Sequence, residues 1–283
     1  MDTPSGEETE SPTVLKRSVG MDLERLRLAA GLERRDAAKA LGCATSKIGH
    51  LETWRNQPSR SDLRELLELY KASEWLSVLW ERTQRGRERG FWESHDGVVG
   101  AEGFGTYVGL EFGASALLSW DALAIHGLLQ TADYAKAMLT SYGRISEADL
   151  AQRLDLRLQR QQVLDRQRPP TLHVILDEGL LRRQVGGPAV LTAQLQHLID
   201  LSTRSTITLQ VLPAAACAHG GQHRPFTLLR FPYSHDPGGV YIETRRRSLW
   251  REDPEEITEY GAVFSHLADL ATSPAQTPDD PQC

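Results

Sequence analysis

The sequence predicts a multidomain protein, with an all-α N-terminal helix-turn-helix bundle followed by a mixed α+β C-terminal domain. Three observations carry this reading. The 283 residues exceed one ordinary domain. Short helical-period segments punctuated by Gly31 and Gly42 fill the first third of the chain. Beyond Gly90, β-branched and aromatic runs alternate with helical stretches.

The elements follow in order. Val19, Leu23, Leu26 and Ala30 share a helical face that Gly31 ends, and a second short helix over 33–41 buries Ala37, Ala38 and Leu41 before Gly42. A third, over 45–54, turns Ile48 and Leu51 inward. A fourth is read with Ser61 as its cap and Leu63, Leu66, Leu67 and Tyr70 as its stripe. Residues 74–88 form a fifth, ending in the charged RGRERG junction, so the domain boundary is placed near Gly90. Further on, the pattern predicts helices over 108–120, 131–141, 146–168, 178–183, 188–202 and 254–271, and strands over 172–176, 207–212, 226–231 and 239–243. The resulting plan is a tail over 1–17, a helix-turn-helix domain over 18–90, an α+β domain over 91–272 and a tail over 273–283. Both tails read as disordered from their polar composition.

Composition narrows the function classes. No apolar run approaches the roughly 18–20 residues of a membrane span, and the acidic, polar N-terminus lacks the apolar core of a secretory signal. Cys43, Cys217 and Cys283 are an odd number at no recognisable spacing, which argues against a disulfide framework and fits a reducing cytoplasm. The net charge is −6, unevenly spread: residues 18–90 hold 14 Lys/Arg against 11 Asp/Glu, whereas 91–283 hold 16 against 23. A basic segment joined to an acidic one points to nucleic-acid contact by the first part.

The spacing around Gly42 is specific. Two short helices joined by a tight turn, the second locked inward by Ile48 and Leu51, make a helix-turn-helix. Gly42 supplies the positive φ of the turn. The opposite face of the second helix then presents Thr45, Ser46, Lys47 and His50, and such helices read bases mainly from their N-terminal residues.

The segments LRLAAGL (26–32), DAAKALGCATSKIGHLE (36–52) and NQPSRSDLRELLELY (56–70) resemble the Xre/Cro-repressor family. The resemblance implies that Thr45, Ser46 and His50 face base edges, and that Arg34, Lys47, Arg55 and Arg60 contact phosphates. Phosphate contacts position the protein without specifying sequence. Three positions depart from the family pattern: Arg34 replaces a Gln, Ala44 a Ser/Thr cap, and Trp54 a Gly. In the C-terminal part, YVGLEFGA (107–114), GLLQTADYAKAML (127–139), LHVILDEGLLRRQVGG (172–187) and ITLQVLPAAACAHGG (207–221) resemble the domain of antitoxin-like, WhiJ-type actinobacterial regulators. That likeness implies a small protein partner encoded nearby.

Other candidates have plainer readings beside their chemical ones. Asp177 and Glu178 follow a buried strand, with Arg182 and Arg183 one turn on. The pair suits acid–base work, but helix N-terminal acids with local arginine partners is the simpler account. Cys217, His219 and His223 could ligate a metal, yet no fourth ligand is evident. GLLQT reads as a ligand-lining segment or as core. Trp75 and Trp80 read as an interdomain or dimer contact or as core. Arg245–Arg247 read as an accessory DNA or partner contact or as a solvated strand end. The expectation is a regulator, not an enzyme, with no cofactor and no metal. It would bind double-stranded DNA as a homodimer at a near-palindromic operator, away from membranes. The alternatives are an antitoxin-like partner-binding protein that uses DNA for autoregulation, and an enzyme fused to a DNA-binding module.

Overall fold

The computed structural model describes residues 10–95, 103–141, 143, 145–216, 218–244 and 248–273. The chain divides into two compact units, Met1–Phe91 and Trp92–Cys283.

The first unit is built from α1 (Pro12–Ala29), α2 (Arg34–Ala40), α3 (Thr45–Glu52), α4 (Arg60–Leu69) and α5 (Leu76–Arg85). Their apolar stripes converge on one core: Val19, Leu23 and Leu26 from α1, Ala37 and Ala38 from α2, Ile48 and Leu51 from α3, Leu63, Leu66 and Leu67 from α4, and Leu79 from α5. Burial of this kind contributes roughly 1.5–3 kcal/mol for each large aliphatic side chain.

The first unit departs from the sequence expectation at three places. The tail expected over 1–17 is helical from Pro12: Ser11 caps α1 by accepting from the Thr13 N–H at 3.2 Å, and Val14, Leu15 and Arg17 are buried. Ser-Pro at the cap and first helical position is a start signal that the acidic composition hid; residues 1–9 lie outside the described residues. The cap of α4 is Ser59, not Ser61, and Asp62 returns the bond to the Ser59 N–H at 3.0 Å in a capping box. The fifth helix opens with a 3-10 turn, Ser73–Trp75.

The second unit holds one six-stranded mixed sheet in the order β3-β2-β1-β4-β5-β6, with β1 Ala116–Asp121, β2 Thr171–Asp177, β3 Ile207–Leu212, β4 Phe226–Arg230, β5 Gly239–Glu243 and β6 Ser248–Arg251. Strands β1, β2 and β3 run parallel, and β4, β5 and β6 continue the sheet antiparallel from β1. The helices are α6 (Phe104–Gly113), α7 (Ala132–Ser141), α8 (Glu147–Gln161), α9 (Glu178–Arg182), α10 (Pro188–Ser202) and α11 (Pro254–Leu270). The face bearing Trp120, Ile175, Phe226, Leu228 and Val240 packs on Ile257, Phe264 and Leu267 of α11. On the opposite face, which carries Ser119 and Thr227, Tyr107 of α6 stacks on Tyr241 with ring centroids 3.6 Å apart.

The expected helix over 108–120 is two elements: α6 stops at Gly113, and β1 becomes the centre of the sheet. A strand buried on both faces reads as a continuous apolar run without a period of two, so nothing in ALLSW separated it from the helix before it. The helix expected over 146–168 ends at Gln161 and passes into a 3-10 turn, Gln162–Asp165. Strand β6 had no counterpart in the sequence reading.

Candidate nucleic-acid interface

Helix α2, the turn at Gly42 and helix α3 form the helix-turn-helix. Gly42 adopts φ +58°, and the Cys43 N–H returns to the Ala38 carbonyl at 3.0 Å. Ile48 and Leu51 are buried against Ala37 and Ala38. Thr45 and Ser46 are exposed at the start of α3, His50 is half-exposed, and Arg55 and Arg60 are exposed beyond its end. All seven expected contact residues keep accessible surface, Arg34 and Lys47 being about as open as His50. Ala44 makes no capping bond from its side chain. Trp54, where the family pattern has Gly, is held at φ +49°, in the left-handed region that Gly enters without strain.

Arg34 and Lys47 are placed differently from a free phosphate contact. The Arg34 guanidinium donates to Glu52 Oε2 at 2.5 Å and to Glu24 Oε1 at 2.9 Å. Its partner Glu52, the last residue of α3, is buried and also accepts Arg27 Nε at 2.5 Å and Arg27 Nη2 at 3.0 Å. Arg27 donates its remaining nitrogen to the Leu32 carbonyl at 2.7 Å. The hydrogen bonds to Glu52 hold both guanidinium pKa values above the ordinary range, against the burial that opposes their charge. One carboxylate thus joins α3 to α1 and α2. Lys47 donates to Asp62 Oδ1 at 2.7 Å, linking the first turn of α3 to the first turn of α4. Burial opposes the Asp62 charge, but the bonds from Lys47 and Ser59 hold its carboxyl below the usual range, and Asp62 in turn holds the Lys47 ammonium up.

Glu52, Arg27 and Asp62 are not among the residues predicted from the sequence. A signal existed for Glu52: it follows Ile48 by four residues, so helical spacing puts this carboxylate on the buried face, where a charge requires partners. A second clamp has the same form. Asp22, fully buried on α1, accepts Arg25 at 2.8 Å and Arg82 of α5 at 3.0 Å.

Trp75 and Trp80 are partly buried against the core of the first unit, with Arg25 over the Trp75 ring at 4.9 Å and Arg87 over the Trp80 ring at 5.5 Å. Of the C-terminal candidates, Asp177, Glu178, Arg182 and Arg183 are engaged structurally, whereas His223 is exposed. Asp177 Oδ1 caps α9 through the Gly179 N–H at 2.8 Å, and Glu178 takes Arg182 at 2.5 Å and the Ala214 N–H at 2.7 Å. Arg183 donates to the Leu123 carbonyl at 2.8 Å. His219 meets the Trp120 ring edge-on at 5.6 Å, and the Trp120 indole donates to the Gly221 carbonyl at 2.8 Å, tying down that loop. Cys217 and Arg245–Arg247 lie outside the described residues. Among the described residues no three His, Cys, Asp or Glu cluster to hold a metal, and no helix is long and apolar enough to cross a membrane.

Leu128, Leu129 and Gln130 of the GLLQT segment are buried. Gln194 accepts the Thr131 N–H and donates to the Leu129 carbonyl, both at 2.7 Å, and Arg157 binds Gln130 at 2.8 Å. Beside it lies a buried pair, Arg160 donating twice at 2.8 Å to Glu111, which also accepts the Tyr107 hydroxyl at 2.9 Å.

Compared with family models, residues 104–279 match the description "Domain of unknown function (DUF5753)", well over half of the chain. The chain belongs to the DUF5753 family. The DUF5753 domain thus comprises the mixed sheet and its helices from α6 onward, and in this chain residues 18–76 match a helix-turn-helix domain. No curated protein and no solved structure gave a match. A helix-turn-helix domain ahead of a DUF5753 domain supports a DNA-binding regulator.

Proposed function

We propose that this DUF5753-family chain is a sequence-specific transcription regulator of the Xre type. It reads the major groove of double-stranded DNA with α3. The observation that carries this reading is the division of α3 into two faces: Ile48, Leu51 and Glu52 are locked inward, while Thr45 and Ser46 are exposed at its N-terminus with His50 half-exposed beyond them. Thr45, Ser46 and His50 contact bases, and Arg55 and Arg60 contact phosphates. Arg34, bound to Glu52 and Glu24, braces α3. The C-terminal domain mediates homodimerisation and answers a protein partner or ligand, in the manner of WhiJ-type antitoxin-like regulators, and carries out no catalysis. Asp177, Glu178 and Arg182 support this last point, since each is engaged by neighbouring backbone or side chains.

The test is selection of duplexes by the full chain from a random pool, followed by sedimentation of the complex. The expected result is a near-palindromic sequence with half-sites about 34–36 Å apart, or a multiple of that, bound by two chains. Failure to enrich any sequence contradicts the proposal. Co-purification with the product of a small adjacent gene, and its effect on duplex affinity, tests the partner.

A further inference from the structure

We propose that Lys47 and Asp62 form a charge lock on the DNA-reading surface, in which Lys47 neutralises Asp62 and positions α3 against α4, leaving phosphate contact to other cations. The proposal rests on α3 being the DNA-reading helix.

Lys47 is the third residue of α3, and Asp62 the third of α4. Their 2.7 Å bond puts a carboxylate within one side chain's length of the exposed Thr45–Ser46 edge. A carboxylate so close to a phosphate backbone repels it unless compensated. The Asp62 side chain is only 16% exposed and its second oxygen already accepts the Ser59 N–H, so it cannot swing away without breaking the cap of α4. Lys47 is 41% exposed, with a long flexible stem, and supplies the compensation. Transferring its ammonium to a phosphate would exchange one anion for another. It would also leave Asp62 uncompensated facing the DNA. The lock is therefore kept on binding, and Lys47 contributes no counterion release. Arg55 is placed otherwise: it is exposed, beyond the end of α3, and free to take a phosphate.

The test uses the full chain, a duplex it selects from a random pool, and Kd measured by fluorescence anisotropy over a salt series. Lys47→Gln exposes Asp62 and weakens binding by about tenfold at low salt, a deficit that shrinks as salt screens the repulsion. Asp62→Asn keeps the cap, because the amide oxygen still accepts from Ser59. It frees Lys47, so the slope steepens by about 0.9 for one new phosphate contact. The decisive variant is the pair, Lys47→Gln with Asp62→Asn, which returns to within about twofold of the wild-type Kd. Lys47→Arg, which keeps a cation on Asp62, also stays within about twofold, and it reports on the lock should the paired variant fold poorly. A paired variant as weak as Lys47→Gln alone, or a slope unchanged in Asp62→Asn, overturns the lock while leaving α3 as the reader. A wild-type chain that enriches no duplex overturns both.

Discussion

Arg27 on α1 and Glu52 at the end of α3 are bound through two hydrogen bonds, at 2.5 and 3.0 Å, with both side chains buried. The pair fixes the C-terminal end of the helix whose N-terminal end is exposed. Removing one partner strands the other's charge in the interior, at a typical loss of about 3–5 kcal/mol. Glu52→Ala is expected to destabilise the first unit by that amount in urea unfolding and to abolish duplex binding. A loss below about 1 kcal/mol, the range of an exposed pair, contradicts this account of α3.

Two glycines predict opposite effects of the same substitution. A Cβ on Gly20 would lie 2.7 Å from the Glu52 carbonyl oxygen and 2.8 Å from that of Leu51, so α1 passes against the end of α3 only because residue 20 has no side chain. Gly49, within α3, has nothing within 4 Å of its Cβ position. Gly49→Ala is expected to stabilise by about 0.5–1 kcal/mol through helix propensity, and Gly20→Ala to destabilise by about 1–3 kcal/mol through overpacking against backbone. Melting temperatures of the two variants check both signs. Stabilisation by Gly20→Ala would show that the close approach is not obligatory.

Lys71 follows α4 at φ +56° and is exposed, and its N–H returns to the Glu68 carbonyl at 3.1 Å. This is the left-handed position after a helix where Gly is favoured. Relief of about 1–2 kcal/mol of backbone strain, partly offset by the greater entropy of an unfolded glycine, gives an expected net gain of about 0.5–1 kcal/mol for Lys71→Gly. Chemical denaturation of the variant reads this directly; a loss of stability would contradict it.

At the end of β1, burial pushes the Asp121 carboxyl up to about 8, with repulsion from Glu243 adding to the rise and a bond from Ser119 opposing it. Its Oδ2 is enclosed without a hydrogen-bond partner. The unfolded chain holds this proton only below about pH 4, so between pH 4 and 8 the folded state binds more protons than the unfolded one. The contribution of Asp121 to stability is full below pH 4 and is lost as pH rises through 8. Asp121→Asn removes that slope and is expected to be more stable than the wild type at pH 9, by about 1–3 kcal/mol. Unfolding titrations at pH 5, 7 and 9 test it; an unchanged pH slope in the variant contradicts the assignment.

Local pattern carried far in the first unit and less far in the second. Gly42, Ile48 and Leu51 made α2 and α3 legible because turn chemistry and helical period are properties of adjacent residues. The start of α1 was hidden by averaging Val14 and Leu15 into an acidic tail. Strand β1 was hidden because both its faces are buried. The ties to Glu52 were out of reach for another reason: Arg27 is 25 residues away and Arg34 is 18 away, so only the fold brings them together. Exposure of Thr45 and Ser46 followed from the inward turn of Ile48, whereas the engagement of Arg34 and Lys47 by carboxylates did not. In the DUF5753 domain Gln130, Gln194 and Arg160 are engaged in the interior by Arg157, the Leu129 carbonyl and Glu111 respectively. A sequence motif there marks a packed polar core.

The central claim is that α3 reads DNA, and its most direct measurement is duplex selection by the full chain beside two variants, Ser46→Ala and Arg55→Glu. The expected result is that wild type enriches one sequence, Ser46→Ala relaxes preference at one base pair by about 1–3 kcal/mol, and Arg55→Glu weakens every duplex alike with a shallower salt slope. Enrichment and affinity unchanged by both substitutions would place DNA recognition elsewhere than α3.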